Sequence, residues 1–144
     1  MPTYVIVDTQ NLFMRVRFGL WAPDIDSQIG LALHIILTSI KKVWNDFDGA
    51  HLVFALEGRS WRKDVYLPYK ANRKVTAAKR TAKEVEEDTI FFEIMDHFIE
   101  FLKTKTNCTV LQHPNAEADD MIARWIIDSH AGLVNHTVYD WIIR

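Results

Sequence analysis

Residues 115–127 read NAEADDMIARWII, which places three carboxylates, Glu117, Asp119 and Asp120, within four positions and follows them at once with an apolar, helix-spaced run. Like charges this close repel, and holding them beside a packed face is costly. A helix N-terminus, a cationic partner or a bound metal ion can each offset that cost. The run just before, CTVLQ (108–112), is a short β-rich stretch, and the periodicity predicts a helix over 117–129. Strand, acid-rich turn and helix make one repeating type of unit.

The same unit recurs on the N-terminal side. TYVIVD (3–8) is a buried strand ending in Asp8, and HLVFAL (51–56) is a second strand followed directly by Glu57 and Gly58. Between them, after a loop with Gly19 and Pro23, Asp26 or Ser27 can cap a helix over 26–47. Its apolar positions are Ile29, Leu33, Ile36, Ile40, Val43 and Phe47. A second long helix is predicted over 79–103, with Val85, Phe91, Phe92, Met95, Phe98, Ile99 and Leu102 inward. HTVYDWII (136–143) reads as a fourth strand. Strands alternating with helices argue for an α/β fold with a central, mostly parallel sheet flanked by helices. At 144 residues the chain has room for one domain with a real core. It contains no internal repeat, linker or low-complexity segment.

With 49% hydrophobic and 25% charged residues the composition is that of a globular protein. No apolar run approaches the roughly 18–20 residues that span a bilayer, and no charged-then-apolar leader opens the sequence, so no membrane partner is expected. One cysteine, Cys108, excludes an internal disulfide and fits a reducing cytoplasm, that of a host if the chain is phage-encoded. The net charge of −2 conceals two blocks. Residues 59–83 hold nine Lys or Arg and one acid, Asp64, whereas 84–100 hold seven acids and no Lys or Arg. A concentrated basic segment in an acidic chain points to a localised polyanion contact. That segment lacks a clean period and is broken by Pro68, so it reads as an exposed loop or partly ordered arch.

Open parallel sheets gather functional groups at the carboxyl ends of their strands. Asp8, Glu57 and the Glu117–Asp120 cluster, far apart in sequence, should therefore converge. Each piece has a simpler reading: Asp8 as a turn cap, Glu57 as a surface acid, the cluster as favourable charge at a helix N-terminus. Taken together they form a set of hard oxygen donors without a His or Cys pair, which favours Mg²⁺ or Mn²⁺ over zinc. Trp61, Tyr66 and Tyr69 interleave with the cations, a pattern that either stacks unpaired bases or anchors the loop.

YVIVDTQNL (4–12), LVFALEGRSWRKDVYLPYKANR (52–73) and EADDMIA (117–123) resemble, in order and spacing, the N-terminal half of the phage and bacterial 5′-3′ exonuclease and flap endonuclease family, over about residues 3–130. That family includes phage ribonuclease H-type enzymes and the 5′ nuclease domain of bacterial DNA polymerase I. The resemblance implies a 5′ nuclease (PIN-like) fold, truncated relative to the family, and divalent-metal-dependent cleavage of DNA or RNA at a 5′ end or flap, in phage-like replication or repair. It implies metal carboxylates at Asp8, Glu57, Glu117 and Asp119, with Asp120 beside them. Glu57 stands where the family usually has Asp. Tyr69, Lys70 and Arg73 match arch residues near the scissile phosphate, Lys70 among the catalytic set. With Arg59, Arg62 and Lys74 they make the expected nucleic-acid contact.

The family continues with a strand carrying an Asp-x-Asp pair for the second metal, then a helix–hairpin–helix domain. Here AGLVNHTVYDWIIR (131–144) follows instead, and Asp140 has no paired acid. Three readings stand at this point: part of a split nuclease, a compact nuclease with fewer ligands, or a binding or regulatory remnant without catalysis. Residues 131–144 are expected either to pair with a complementing chain or second copy, or to repack as a substitute sheet edge.

Overall fold

The computed structural model describes residues 3–130 and 135–138. Its elements are β1 (Thr3–Asp8), α1 (Thr9–Phe18), α2 (Ile25–Asp46), β2 (His51–Ala55), α3 (Arg62–Val65), α4 (Asn72–Ala78), α5 (Ala82–Lys105), β3 (Thr109–Leu111), α6 (Ala118–His130) and β4 (Asn135–Val138). The sheet runs β3-β2-β1-β4, every neighbouring pair parallel. This is the expected α/β architecture.

Alternation along the strands sorts the core into two layers. Val5, Val7 and Phe54 face one way, against Leu12 and Phe13 of α1, Ile29, Ile36, Ile40 and Val43 of α2, and Phe91, Met95, Ile99 and Leu102 of α5. Ile6, Val53 and Ala55 face the other way, against Ala118 and Ile122 of α6. A period of two on a pleated strand sends neighbours to opposite faces, so a sheet covered on both sides must be apolar throughout. TYVIVD and HLVFA meet that demand.

Register sets the site. Asp8 pairs with Ala55, and Ala55 with Leu111, so the three carboxyl ends lie level along one edge. Beyond β2, Gly58 brings the chain against the loop that leads into α6. Its N–H donates to the Ala116 carbonyl at 2.8 Å and the Arg59 N–H to the Pro114 carbonyl at 2.9 Å. A Cβ built on Gly58 would lie 2.1 Å from the His113 carbonyl oxygen, backbone that cannot easily yield. Only glycine permits this approach.

Several helix boundaries differ from the sequence expectation. Asp24, and neither Asp26 nor Ser27, caps α2, its carboxylate accepting from the Ser27 N–H at 2.7 Å. α5 begins at Ala82 behind a Thr81–Glu84 capping box, so Val85 sits in the exposed first turn, before the helix reaches the sheet. Phe47, expected inward, follows the end of α2 and is exposed. The stretch after Asp8, expected to be loop, is α1. The basic segment contains two short helices, α3 and α4, neither with a buried residue. The expected fourth strand, 136–143, is described only in part: β4, which begins one residue earlier at Asn135 and is described to Val138, pairs in parallel with β1. The remainder of the tail, Asp140 included, lies outside the described residues.

Candidate active site

Asp8 leaves β1 and enters α1 without a turn, and its carboxylate accepts from the Asn11 N–H at 3.4 Å as the helix N-cap. It is 4% exposed. Glu57 follows β2 half-buried. Burial pushes its carboxyl above the usual glutamate value, and the charges of Asp8 and Glu117 push it further. The Lys70 ammonium and a hydrogen bond from the Ala118 backbone act the other way. Three acids from three strand ends therefore sense one another, as the register requires.

The crowded cluster at α6 divides its labour. Glu117 is buried and receives four side-chain donors. Ser60 Oγ donates at 3.0 Å, Arg62 Nη1 at 2.8 Å and the Tyr69 hydroxyl at 3.1 Å, all to Oε2, while Lys70 Nζ donates to Oε1. Burial would raise the Glu117 carboxyl, but the bonds from Lys70, Ser60 and Tyr69 outweigh it and hold the group below its ordinary value. Asp120 accepts a two-pronged Arg62 guanidinium, Nη2 to Oδ1 at 2.6 Å and Nη1 to Oδ2 at 3.0 Å. Its Oδ2 also accepts the Glu117 N–H at 3.0 Å, closing the helix N-terminus. Asp119 is exposed and turned to the cleft. Of the three ways to offset crowded charge, the described residues use two: a helix N-terminus and a cationic partner.

Lys70 sits at φ 55, the left-handed region that β-carbon-bearing residues seldom occupy. The surrounding bonds to Glu117 hold it there. Burial opposes its charge, yet the hydrogen bond to Glu117 wins and raises its ammonium above the usual lysine value.

Asp8, Glu57, Glu117 and Asp119 line one cleft of about 1290 Å³ together with Arg59, Tyr69, Lys70, Arg73 and Lys74. Asp120 and Arg62 are not among its lining residues; they grip each other. Arg59 is bound to the Asp64 carboxylate. The donor chemistry of Asp8, Glu57 and Asp119 suits a hard divalent cation, and their mutual repulsion is of the kind an ion relieves. As the side chains stand, no three His, Cys, Asp or Glu groups among the described residues form a set that could hold an ion.

Sequence reasoning missed the wall that α1 supplies, Gln10, Asn11 and Met14. Asp8 followed three and four positions later by Asn11 and Leu12 is a capped-helix signal that could have revealed it. It also missed Ser60, 4% exposed beneath Glu117, and Gly58. A glycine directly after a strand-end acid is the mark of a close backbone approach.

Fold and site together define a parallel α/β domain that gathers carboxylates at the carboxyl edge of its sheet beneath a cationic arch. The chain belongs to the 5′-3′ exonuclease N-terminal resolvase-like domain family, whose model matches residues 3–138. Among curated proteins no match is found. Similar solved structures include a bacteriophage T5 protein co-crystallised with metal ions, at 24% identity and TM-score 0.70 over 94% of this chain and 47% of that one. A bacteriophage T5 flap endonuclease in a pseudo-enzyme–product complex with DNA and metal ions matches at 24% identity and TM-score 0.68, with the same coverage. The T5 5′-exonuclease with zinc bound matches at 23% identity and TM-score 0.68, over 90% of this chain and 45% of that one. The chain spans about half the length of these structures. Among the described residues, no helix is long and apolar enough to cross a membrane.

Proposed function

We infer that this chain carries the acid cleft of a divalent-metal-dependent 5′ nuclease, hydrolysing phosphodiesters of DNA or RNA in the manner of a 5′-3′ exonuclease or flap endonuclease. The observation that carries the reading is one cleft lined both by four carboxylates, Asp8, Glu57, Glu117 and Asp119, and by Tyr69, Lys70, Arg73 and Lys74. A phosphodiester placed between them meets both things its hydrolysis needs, anionic oxygens for an ion and cations for its own charge.

Asp8, Glu57 and Asp119 would hold Mg²⁺ or Mn²⁺, joined by Glu117 when it releases Lys70. Such ions activate water and stabilise the leaving oxygen. The chain's own residues position the substrate. Lys70, released from Glu117, offers a point charge to a phosphate oxygen, and Arg73 offers a planar fork. Asp120 and Arg62 lock the arch to α6 and fix its height over the acids. Partners under this reading are DNA with a 5′ end or flap, RNA of similar form, and a complementing chain carrying further metal ligands.

Cleavage of a labelled 5′-flap substrate by the purified chain, in Mg²⁺ or Mn²⁺ and again in chelator, tests the reading. Cleavage is expected with metal alone and should vanish in Asp8→Ala and Asp119→Ala. The commitment of Glu117 to Lys70 and Arg62 favours a second reading, a nucleic-acid-binding remnant. Tight binding without cleavage in either metal, with or without extract supplying a complementing chain, would select it.

A further inference from the structure

Glu117 presents its carboxylate oxygens unequally. Oε2 accepts from Ser60 Oγ at 3.0 Å, Arg62 Nη1 at 2.8 Å and the Tyr69 hydroxyl at 3.1 Å. Oε1 takes Lys70 Nζ, with the Tyr69 hydroxyl at 3.5 Å. The donors also differ in what holds them. Arg62, Tyr69 and Lys70 lie farther along the arch, and the Arg62 and Lys70 side chains are about a third exposed. Ser60 is buried at the foot of the arch, and the residues just before it are tied to the loop ahead of α6. Gly58 N–H donates to the Ala116 carbonyl and Arg59 N–H to the Pro114 carbonyl. The Glu117 main chain is fixed as well, its N–H on Asp120 Oδ2 and its carbonyl accepting from the Asp120 and Met121 N–H groups. What remains to be set is the direction of the Glu117 side chain. Ser60 is the donor that can set it without the rest of the arch.

We propose that Ser60 is a positioning residue: it holds Glu117 Oε2, so that Oε1 is the oxygen exchanged between the Lys70 ammonium and a divalent cation. The inference rests on the cleft binding such an ion, as the proposed function holds. Lys70 and Ser60 then act on one carboxylate with opposite effect. The ammonium occupies the oxygen an ion would take. The serine hydroxyl occupies the other oxygen, donates a single bond and brings no charge to repel a cation. Without it, the glutamate side chain would surrender its rotamer freedom only on ligation. Hydrogen-bond partners that orient a ligating carboxylate govern metal affinity for this reason.

The test is calorimetric titration of Mn²⁺ into the full chain and into Ser60→Ala, Ser60→Cys, Lys70→Met and Asp8→Asn/Asp119→Asn, with urea unfolding to establish that each is folded. Were Ser60 one more group that merely occupies Glu117, its removal would free the carboxylate and tighten Mn²⁺ binding, as Lys70→Met should. Positioning has the opposite sign. Ser60→Ala should bind Mn²⁺ about ten-fold more weakly than wild type. Ser60→Cys, similar in size but a weak donor, should be weakened in the same direction, and it carries the comparison if Ser60→Ala does not fold. In a Glu117→Gln background, Ser60→Ala should change Mn²⁺ affinity by less than about two-fold, because both act through one carboxylate. Equal loss in both backgrounds would mark a general loosening of the site and overturn the proposal. Ser60→Ala that binds Mn²⁺ as tightly as wild type, or more tightly, overturns it too; if Asp8→Asn/Asp119→Asn still loses binding, the cation reading stands alone. A wild-type chain that binds no Mn²⁺ overturns both.

Discussion

The acid edge of the sheet and the basic arch line one cleft, yet they are held in opposite ways. Asp8 and Glu117 are buried, and Glu57 is tied by backbone hydrogen bonds through Gly58 to the loop before α6. Their places follow from strand register and core packing. In the arch, α3 and α4 bury nothing, and Trp61, Val65, Tyr66 and Leu67 are all exposed. What attaches the arch to the body is polar: Arg62, Lys70 and the Ser60 and Tyr69 hydroxyls on Glu117, Arg62 on Asp120, Arg80 on Asp88. The fold fixes the acids, and the acids then fix the cations. A metal ion drawn to Glu117 would therefore compete with the arch for the same carboxylate.

The difference breaks first at Gly58. Gly58→Ala forces a Cβ onto the His113 and Ala116 carbonyls, so a loss of about 3 kcal/mol in urea unfolding is expected. A wild-type midpoint would mean that the β2 exit and the α6 loop are less closely joined than described.

Glu117→Gln should act on the arch more than on the body. It removes the charge that gathers Lys70 and Arg62, at a cost of about 1–2 kcal/mol, since those partners are about a third exposed and solvent screens them. Limited trypsin digestion should cut within 62–80 several times faster while the rest of the chain persists. Unchanged digestion would show that the arch is held by something other than charge.

Acid should have the same effect. Glu117 and Asp120 both titrate below their ordinary values in the folded chain, so their contribution is complete above the unfolded carboxylate values, about 4. It is lost as pH falls through the lowered folded values. Glu57, whose carboxyl is raised, works with the opposite sign: its protonation on acidification relieves repulsion and offsets part of the loss. Stability measured against pH should fall more gently below about pH 4 in Glu117→Gln than in wild type. Parallel curves would contradict the role given to Glu117.

The smallest effect belongs to an ion pair with no part in either region. Lys42 and Asp46 are paired one helical turn apart on α2, their side chains 74% and 49% exposed. Lys42→Ala should shift unfolding by less than about 0.5 kcal/mol.

What the sequence made legible follows the same division. Strands covered on both faces are continuous apolar runs, long helices repeat at 3.6, and acids directly after strands are visible as such. Hence β1, β2, α2, α5, α6 and the meeting of Asp8, Glu57 and Glu117 could be read. α1 escaped because Asp8 both ends a strand and caps a helix, leaving no turn residues to mark the change. α3 and α4 escaped because helices that bury nothing leave no apolar period. The partnership of Arg62 with Asp120, 58 residues apart, has no local trace. Spacing could bring three acids together at α6, but could not show that Asp120 would cap the helix and grip Arg62, that Glu117 would gather the arch donors, or that Asp119 would be left exposed to the cleft.

Under the proposed function Asp8, Glu57 and Asp119 would hold a divalent cation, with Glu117 shared between that ion and the arch. Calorimetric titration of Mn²⁺ into the full chain, free of nucleic acid, tests it most directly. Wild type should bind the ion, Asp8→Asn/Asp119→Asn should lose binding, and Lys70→Met should bind several-fold more tightly, because the ammonium no longer competes for Glu117 Oε1. Absence of Mn²⁺ binding in wild type, or binding that the Asp8/Asp119 variant retains in full, would rule the cation site out.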